Sequence, residues 1–303
     1  TIHDRVTLEI ARGCTRGCRF CQAGMVWRPV RERDPDALVE MSDGMLDATG
    51  HEELSLLSLS SGDYPYIESL LGLLMDRHYA RRIALALPSL RVETLTPRLM
   101  EVIRRVRKTS FTLAPEAGTQ RLRDRINKGN TEADLMATAR NVFDAGWRSL
   151  KLYFMIGLPG ENEADLDGIC DLAHKTLPHG RNAGRITVSL STFVPKPHTP
   201  FQWQPQIGLA ETEDRQAYFR RRLRHPRISI RWHDGRMSLL EGLLSRGDER
   251  MGDLVERAFV MGCRFDGWGD RFRFDLWETA LGELGVDCKA ALAGRPATAT
   301  LPW

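Results

Sequence analysis

Three of the six cysteines in this 303-residue chain fall within eight residues, Cys14, Cys18 and Cys21 of the stretch ARGCTRGCRFCQAG. Three thiolates that close suit a metal centre better than side-chain packing. A structural zinc site commonly takes four ligands as two separated pairs, and neither a second pair nor a nearby histidine accompanies this loop. A [4Fe–4S] cluster also needs four ligands, so three from the protein leave one iron open to bind something reactive. The remaining cysteines, Cys170, Cys263 and Cys288, are scattered and form no disulfide framework, a usage that suits a reducing cytosol.

The elements that must position this loop alternate strand and helix through the first two thirds of the chain. Strand-like runs read 6–10, 54–60, 83–87, 110–114, 150–157 and 186–194. Between them, Ile67, Leu70, Leu71 and Leu74 fall at helical spacing, as do Leu99, Val102, Ile103 and Val106, and Leu166, Ile169, Cys170 and Ala173. Six such units in series predict a parallel sheet covered by helices. One face of each strand is apolar (Val6, Leu8, Ile10; Leu150, Leu152, Phe154, Ile156; Ile186, Val188, Leu190), while the other carries Thr7 and Glu9, Lys151 and Tyr153, or Thr187, Ser189 and Ser191. A closed eight-stranded barrel fills its interior with branched apolar residues. The polar second face therefore predicts an incomplete α/β barrel, a partial (β/α)6 barrel lining a wet cavity, with an open sheet solvated on one face as the alternative.

Two units are expected, a core barrel over 1–203 and a mostly helical C-terminal extension over 204–303. Past Pro205 the alternation stops, and capping boxes are expected at Ser238 with Glu241 and at Asp275 with Glu278.

The loop CTRGCRFC resembles the CxxxCxxC signature of radical S-adenosylmethionine (SAM) enzymes, Phe20 before the third cysteine included, and it follows the first strand of a β/α series as theirs does. The resemblance implies a [4Fe–4S] cluster held by Cys14, Cys18 and Cys21. It further implies that the amine and carboxylate of SAM chelate the open iron, and that one electron cleaves SAM to methionine and a 5′-deoxyadenosyl radical. The stretch SLSSGDYP resembles the family's Gly-Gly-Glu-like motif for the SAM amine, which implies roles for Ser61, Gly62 and Asp63, with Asp63 in place of glutamate. In PSLRVETL, Ser89 and Arg91 match a SAM-contacting position of several subgroups. In APEAGTQRLRDRINKG, Glu116 matches the ribose-contacting acid. In MIGLPGEN, Gly157 and Leu158 open a Gly-x-Pro-Gly turn that passes adenine across backbone groups. Lys151, facing inward, is expected either to reach the SAM carboxylate or to pair with Glu9, because a lysine in a barrel must find an anion or water. FVPKPHTPFQW resembles a stretch near the active-site mouth of the methylthiotransferase and cobalamin-dependent branches. Beyond the cluster ligands no catalytic residue is named.

The likeness covers 1–203 and is nearest an uncharacterised bacterial branch whose members commonly carry a cobalamin-binding domain ahead of the barrel. The chain has no Asp-x-His-x-x-x-Gly cobalamin motif, so cobalamin is expected only through a domain outside it. Starting at Thr1, the chain reads as a piece of something longer, with an upstream domain or partner. The expected activity is radical modification of a substrate, methylation or methylthiolation of RNA or protein, served by an external electron donor. From another class comes a non-catalytic iron–sulfur or zinc protein binding RNA or a ribosomal partner. In FRRRLRHPRISIRW, five arginines between 220 and 227, with aromatics at each end, have the composition of an RNA contact, with a solvated helix end as the plain alternative. The net charge of +3 is too small to argue for nucleic acid by itself. An apolar fraction of 42% without a run of about 18 apolar residues, and no signal peptide, predict a cytoplasmic protein that does not span a membrane.

Overall fold

A computed structural model describes residues 4–86, 91–94, 96, 98, 99 and 111–303, and every structural statement below concerns these. Ser89 and most of the helix expected from Leu99 to Val106 lie outside them.

Strand β1 (Val6–Glu9) leads into a small antiparallel ribbon of β2 (Ala11–Arg12) and β3 (Arg31–Glu32), with one helical turn, α1 (Ala23–Val26), in the loop between. Helix α2 (Pro35–Thr49) starts where Asp34 accepts hydrogen bonds from the N–H groups of Asp36 and Ala37, with Pro35 at its first position, and ends on Gly50 in the left-handed region. Then follow β4 (Glu53–Leu57), α3 (Ile67–His78) and β5 (Ala84–Ala86), the three strands parallel in the order β1-β4-β5.

Strand β6 (Phe111–Glu116) opens a second parallel block, followed by α4 (Gln120–Arg125), α5 (Glu132–Asp144), β7 (Ser149–Ile156), α6 (Glu163–Thr176) and β8 (Arg185–Thr192). Reciprocal capping boxes start α5 (Thr131 with Asp134) and α6 (Asn162 with Asp165).

The sheet does not stop at β8. Helix α7 (Leu209–Arg222) crosses back to β9 (Ile228–Trp232), which pairs parallel with β8, giving the block order β6-β7-β8-β9. A strand therefore stands where only helices are expected. Ile228 joins the main core, and Ile230 and Trp232 pack against it.

The outward strand faces carry that core. Leu8, Leu54, Leu56, Leu113, Leu150, Leu152, Phe154, Ile186 and Val188 are fully buried beneath the helices, each worth about 1.5–3 kcal/mol of transfer free energy. On the other face Thr7, Leu57 and Thr112 are exposed, and Lys151, Tyr153 and Met155 are half-buried. An interior reached by solvent fits a partial barrel, not a packed closed one.

Beyond β9 come α8 (Gly235–Arg246), α9 (Arg250–Val260), α10 (Phe274–Glu283) and α11 (Cys288–Leu292), gathered round a separate core that includes Leu240, Leu243, Leu254, Trp277 and Leu281. The two expected capping boxes are absent here. Asp234 caps α8 instead, accepting from the Arg236 N–H, so Ser238 lies inside the helix. Asp275 lies inside α10 and pairs with Arg273. Among the described residues, no helix is long and apolar enough to cross a membrane.

Candidate metal and cofactor site

The cysteine loop, residues 13–30, leaves β2 at Gly13 with φ +93°. A Cβ there would meet the Trp27 carbonyl oxygen at 2.5 Å and that of Pro29 at 2.8 Å, so only glycine allows the loop to fold back on itself. Ribbon β2/β3 ties its base. Its far side is fastened to the segment after β6: the Arg19 N–H donates to the Ile126 carbonyl at 3.0 Å, Arg19 Nη1 to that of Arg125 at 2.6 Å, and Asn127 Nδ2 to that of Gly17 at 2.9 Å.

Within this frame each thiol has a donor aimed at it. The Arg16 N–H points to Cys14 Sγ at 3.5 Å, the Gly24 N–H to Cys21 Sγ at 3.4 Å, and Arg91 Nη1 to Cys18 Sγ at 3.7 Å. Burial pushes the Cys21 thiol up against the opposing pull of the Gly24 N–H, and the neighbouring Cys18 and Cys14 add to the rise. A cationic centre would remove the repulsion among three thiolates. Among the described residues no three cysteine, histidine or acidic side chains gather on one metal ion. A single zinc, with Zn–S bonds of about 2.3 Å, draws its sulfurs within about 4 Å of each other. A cluster takes each thiolate on a different iron and spreads them. The donor set and its hydrogen bonds fit the cluster.

The SGD motif forms a 3₁₀ turn after β4. Gly62 is sterically required, because a Cβ would lie 2.0 Å from Thr94 Oγ1. Ser61 is fully buried, and its hydroxyl meets Ser58 Oγ at 2.9 Å. Asp63 does turn to the cysteine loop, where Arg16 grips both of its oxygens, with Nε at 2.8 Å from Oδ2. Burial pushes the Asp63 carboxyl up, but the Arg16 hydrogen bonds and charge outweigh it and hold the group below the usual carboxylate range. Arg91, expected at SAM, sits on Cys18 and donates its other arm to the Lys128 carbonyl.

Glu116 was expected to follow the polar phase of β6. Pro115 lacks an N–H, the register slips between Leu113 and Glu116, and Glu116 takes φ +69°, a bulge that breaks the phase. The side chain accepts a hydrogen bond from Lys128 Nζ at 3.0 Å. Phe20 and Leu158 meet in a satellite apolar cluster with Ile126, Phe193 and Phe201, a greasy recess beside the loop. Gly157, at φ +82°, donates its N–H to Glu161 Oε1 at 2.9 Å, and Glu161 is held from α7 by Arg215.

Lys151 is not brought to this end. It lies five residues before the end of β7, roughly 16 Å along the strand, and donates to Tyr153 Oη at 2.7 Å. The expected Glu9 pair does not form, because Arg12 occupies both Glu9 oxygens at 2.8 Å. Three of the six arginines in the arginine-rich stretch are committed: Arg220 stacks on Trp232 at 4.4 Å, Arg222 bonds Asp167 at 2.7 Å, and Arg227 donates to the carbonyls of Arg181 and Gly184. Sequence reasoning missed Arg16, Asn127, Lys128 and Glu161. All four had one available signal, a polar residue inside a quoted motif.

Fold and site thus define a partial parallel α/β barrel with a three-cysteine loop at the carboxyl end of its first strand. Residues 8–173 match the model of the radical SAM superfamily, and the chain belongs to that superfamily, whose members are enzymes that typically use a [4Fe–4S] cluster and SAM. It is 30% identical over 249 residues to an uncharacterized protein of Methanocaldococcus jannaschii, covering 82% of this chain and 53% of that one. It is 24% identical over 176 residues to the threonylcarbamoyladenosine tRNA methylthiotransferase MtaB of Bacillus subtilis, covering 54% and 38%. The chain therefore spans about half, or less, of the length of these relatives. Among solved structures, the radical SAM methyltransferase TsrM of Kitasatospora setae, with cobalamin and a [4Fe–4S] cluster bound, superposes with TM-score 0.53 at 15% identity over 65% of this chain and 36% of that one. SuiB of Streptococcus suis superposes with TM-score 0.53 at 11% identity over 76% and 48%.

Proposed function

We propose that this chain is the radical-generating core of an enzyme that binds a [4Fe–4S] cluster through Cys14, Cys18 and Cys21 and cleaves SAM beside it. The observation that carries this reading is three thiols in one eight-residue loop, each with an N–H donor, on a loop that Arg16 ties to Asp63. When bound, the cluster and SAM supply an electron and a 5′-deoxyadenosyl radical for hydrogen abstraction. The chain's own residues bind and orient. Arg91 stabilises the Cys18 thiolate, Asp63 offers a carboxylate to an ammonium group, Glu116 offers one to ribose hydroxyls, and the recess of Phe20 and Leu158 shelters a flat apolar ring from water.

For the reaction that follows we propose methylation or methylthiolation of RNA or protein, supported by the names of the relatives above, with an external one-electron donor as partner. Cobalamin would enter only through a domain outside this chain. The commitment of Arg220, Arg222 and Arg227 to structural partners gives no support to a binding-only RNA module. Anaerobic incubation of the reconstituted protein with SAM and dithionite, followed by mass spectrometry, tests the reading. The expected product is 5′-deoxyadenosine, and its absence from protein carrying a full cluster overturns it.

A further inference from the structure

The inner face of the second strand block carries positive charge that nothing on that face balances. Strand register arranges it in rows. Thr112, Lys151, Thr187 and Ser229 are paired across β6 to β9, and Tyr153, Ser189 and Arg231 are paired across β7 to β9 in the next row. The shared face is confirmed by a hydrogen bond of 3.0 Å between the Thr187 and Ser229 hydroxyls and by burial of the alternate residues Ile186, Val188 and Leu190. Arg185, at the start of β8, lies on the same face one row below Thr187.

Acids and cations are matched unequally here. Among the described residues, each acid facing this interior or its rim has a basic partner: Glu9 has Arg12, Glu53 has Arg5, Asp63 has Arg16 and Glu116 has Lys128. Lys151 has only the neutral Tyr153 hydroxyl and ring, and Arg185 and Arg231 make no ion pair among the described residues. Adjacent strands are about 4.8 Å apart, so the Cα of Arg231 lies roughly 10 Å from that of Tyr153, within the reach of three long cationic side chains toward one group. A half-buried ammonium without an anion is costly, and hydroxyls in the same rows supply neutral donors.

We infer that this wall is a phosphate-binding subsite for the substrate, gripped by Lys151 and Arg231 with Arg185 below. A phosphate offers several oxygens to forked guanidinium and ammonium donors at once. The inference rests on the reading that the radical forms at the carboxyl end of the same interior. The row of Tyr153 and Arg231 lies three residues below the end of β7, so phosphate and reacting carbon would be separated by on the order of 10 Å, the length of a nucleotide-sized molecule.

The test is a calorimetric titration of pyrophosphate into the cluster-loaded full chain at low salt, without SAM or reductant, so its outcome is independent of SAM cleavage. Wild type should bind. Arg231→Met, at an exposed position, and Lys151→Met should each weaken binding about tenfold, and the double variant should show none. Lys175→Met, on the outer surface of α6, should bind as wild type does. Circular dichroism checks the Lys151→Met fold, and the exposed Arg231→Met carries the test if that variant unfolds. Competition with a short single-stranded RNA identifies the source: displacement of pyrophosphate assigns a nucleic-acid backbone, and no displacement assigns a free phosphorylated metabolite. No binding by wild type, or equal binding by the double variant, overturns the subsite.

Discussion

Ion pairs at the barrel rim and ion pairs in the helical extension look alike as a list and do different work. At the rim, Arg16 and Asp63 are 47 residues apart in the chain, and Lys128 and Glu116 are 12 apart; each pair joins separate loops and is half-buried or more. In the extension, Asp234 with Arg236, Asp248 with Arg250, and Arg273 with Asp275 are each two residues apart and largely exposed. A pair between elements fixes the position of one loop against another. A pair within one turn trims a helix end, and water screens it. Charge in these two rim pairs is therefore part of the site's geometry, whereas these three pairs of the extension lie at its surface. Separate elements of the extension are joined instead by Arg257–Glu283 and the buried Arg246.

The strongest test of that contrast removes the ligands themselves. Cys14→Ala, Cys18→Ala and Cys21→Ala should each lose essentially all of the roughly four irons bound on reconstitution, as read by iron assay and loss of brown absorption. Cys170→Ala, in the buried stripe of α6, should keep them. Equal loss in Cys170→Ala would break the assignment. Next in size, Asp63→Asn should keep its iron yet lower SAM binding and cleavage by about tenfold or more, because a charge-assisted contact is lost. Unchanged SAM affinity would reduce the Arg16–Asp63 pair to a structural tie.

Lys128→Met leaves Glu116 charged and nearly buried, and should lower the unfolding free energy by about 3 kcal/mol in urea titration. Arg250→Ala, by contrast, should leave the urea midpoint unmoved; a clear shift would erase the distinction between the regions. The smallest effect concerns pH. The Asp63 carboxyl is held below its ordinary value in the folded protein, so its contribution to stability is fully present above about pH 4 and is lost as pH falls through the lowered folded value. Thermal melts of wild type and Asp63→Asn should differ near neutrality and converge under strong acid.

Much of the barrel was legible because period-two alternation survives in long strands: the apolar set Leu150, Leu152, Phe154 and Ile156 is buried as its spacing requires. Strand β9 was not, since its alternation runs for only five residues inside an arginine-rich stretch whose charges dominate local composition. The family was legible in the cysteine loop, whose spacing resembles the radical SAM signature, and residues 8–173 match that superfamily. The loop's supports were not, because Arg16, Asn127 and Lys128 act through contacts 12 to 111 residues distant, which no local pattern encodes. Glu116 shows a middle case: phase pointed it inward, but a proline bulge broke the phase, so that it pairs in register with Phe154 and bonds Lys128.

The small ribbon of β2 and β3 bears on when the metal centre arrives. Closing a flexible loop costs chain entropy, and in small zinc modules the metal must supply it, so those modules fold only as they bind. Here the ribbon, Arg19 and Asn127 tie residues 13–30 through hydrogen bonds that involve no thiol. Cys14 and Cys21 remain half-exposed on the closed loop. The loop's closure therefore draws on contacts that involve no thiol, so stripping the iron is expected to leave the far-UV circular dichroism of the barrel unchanged.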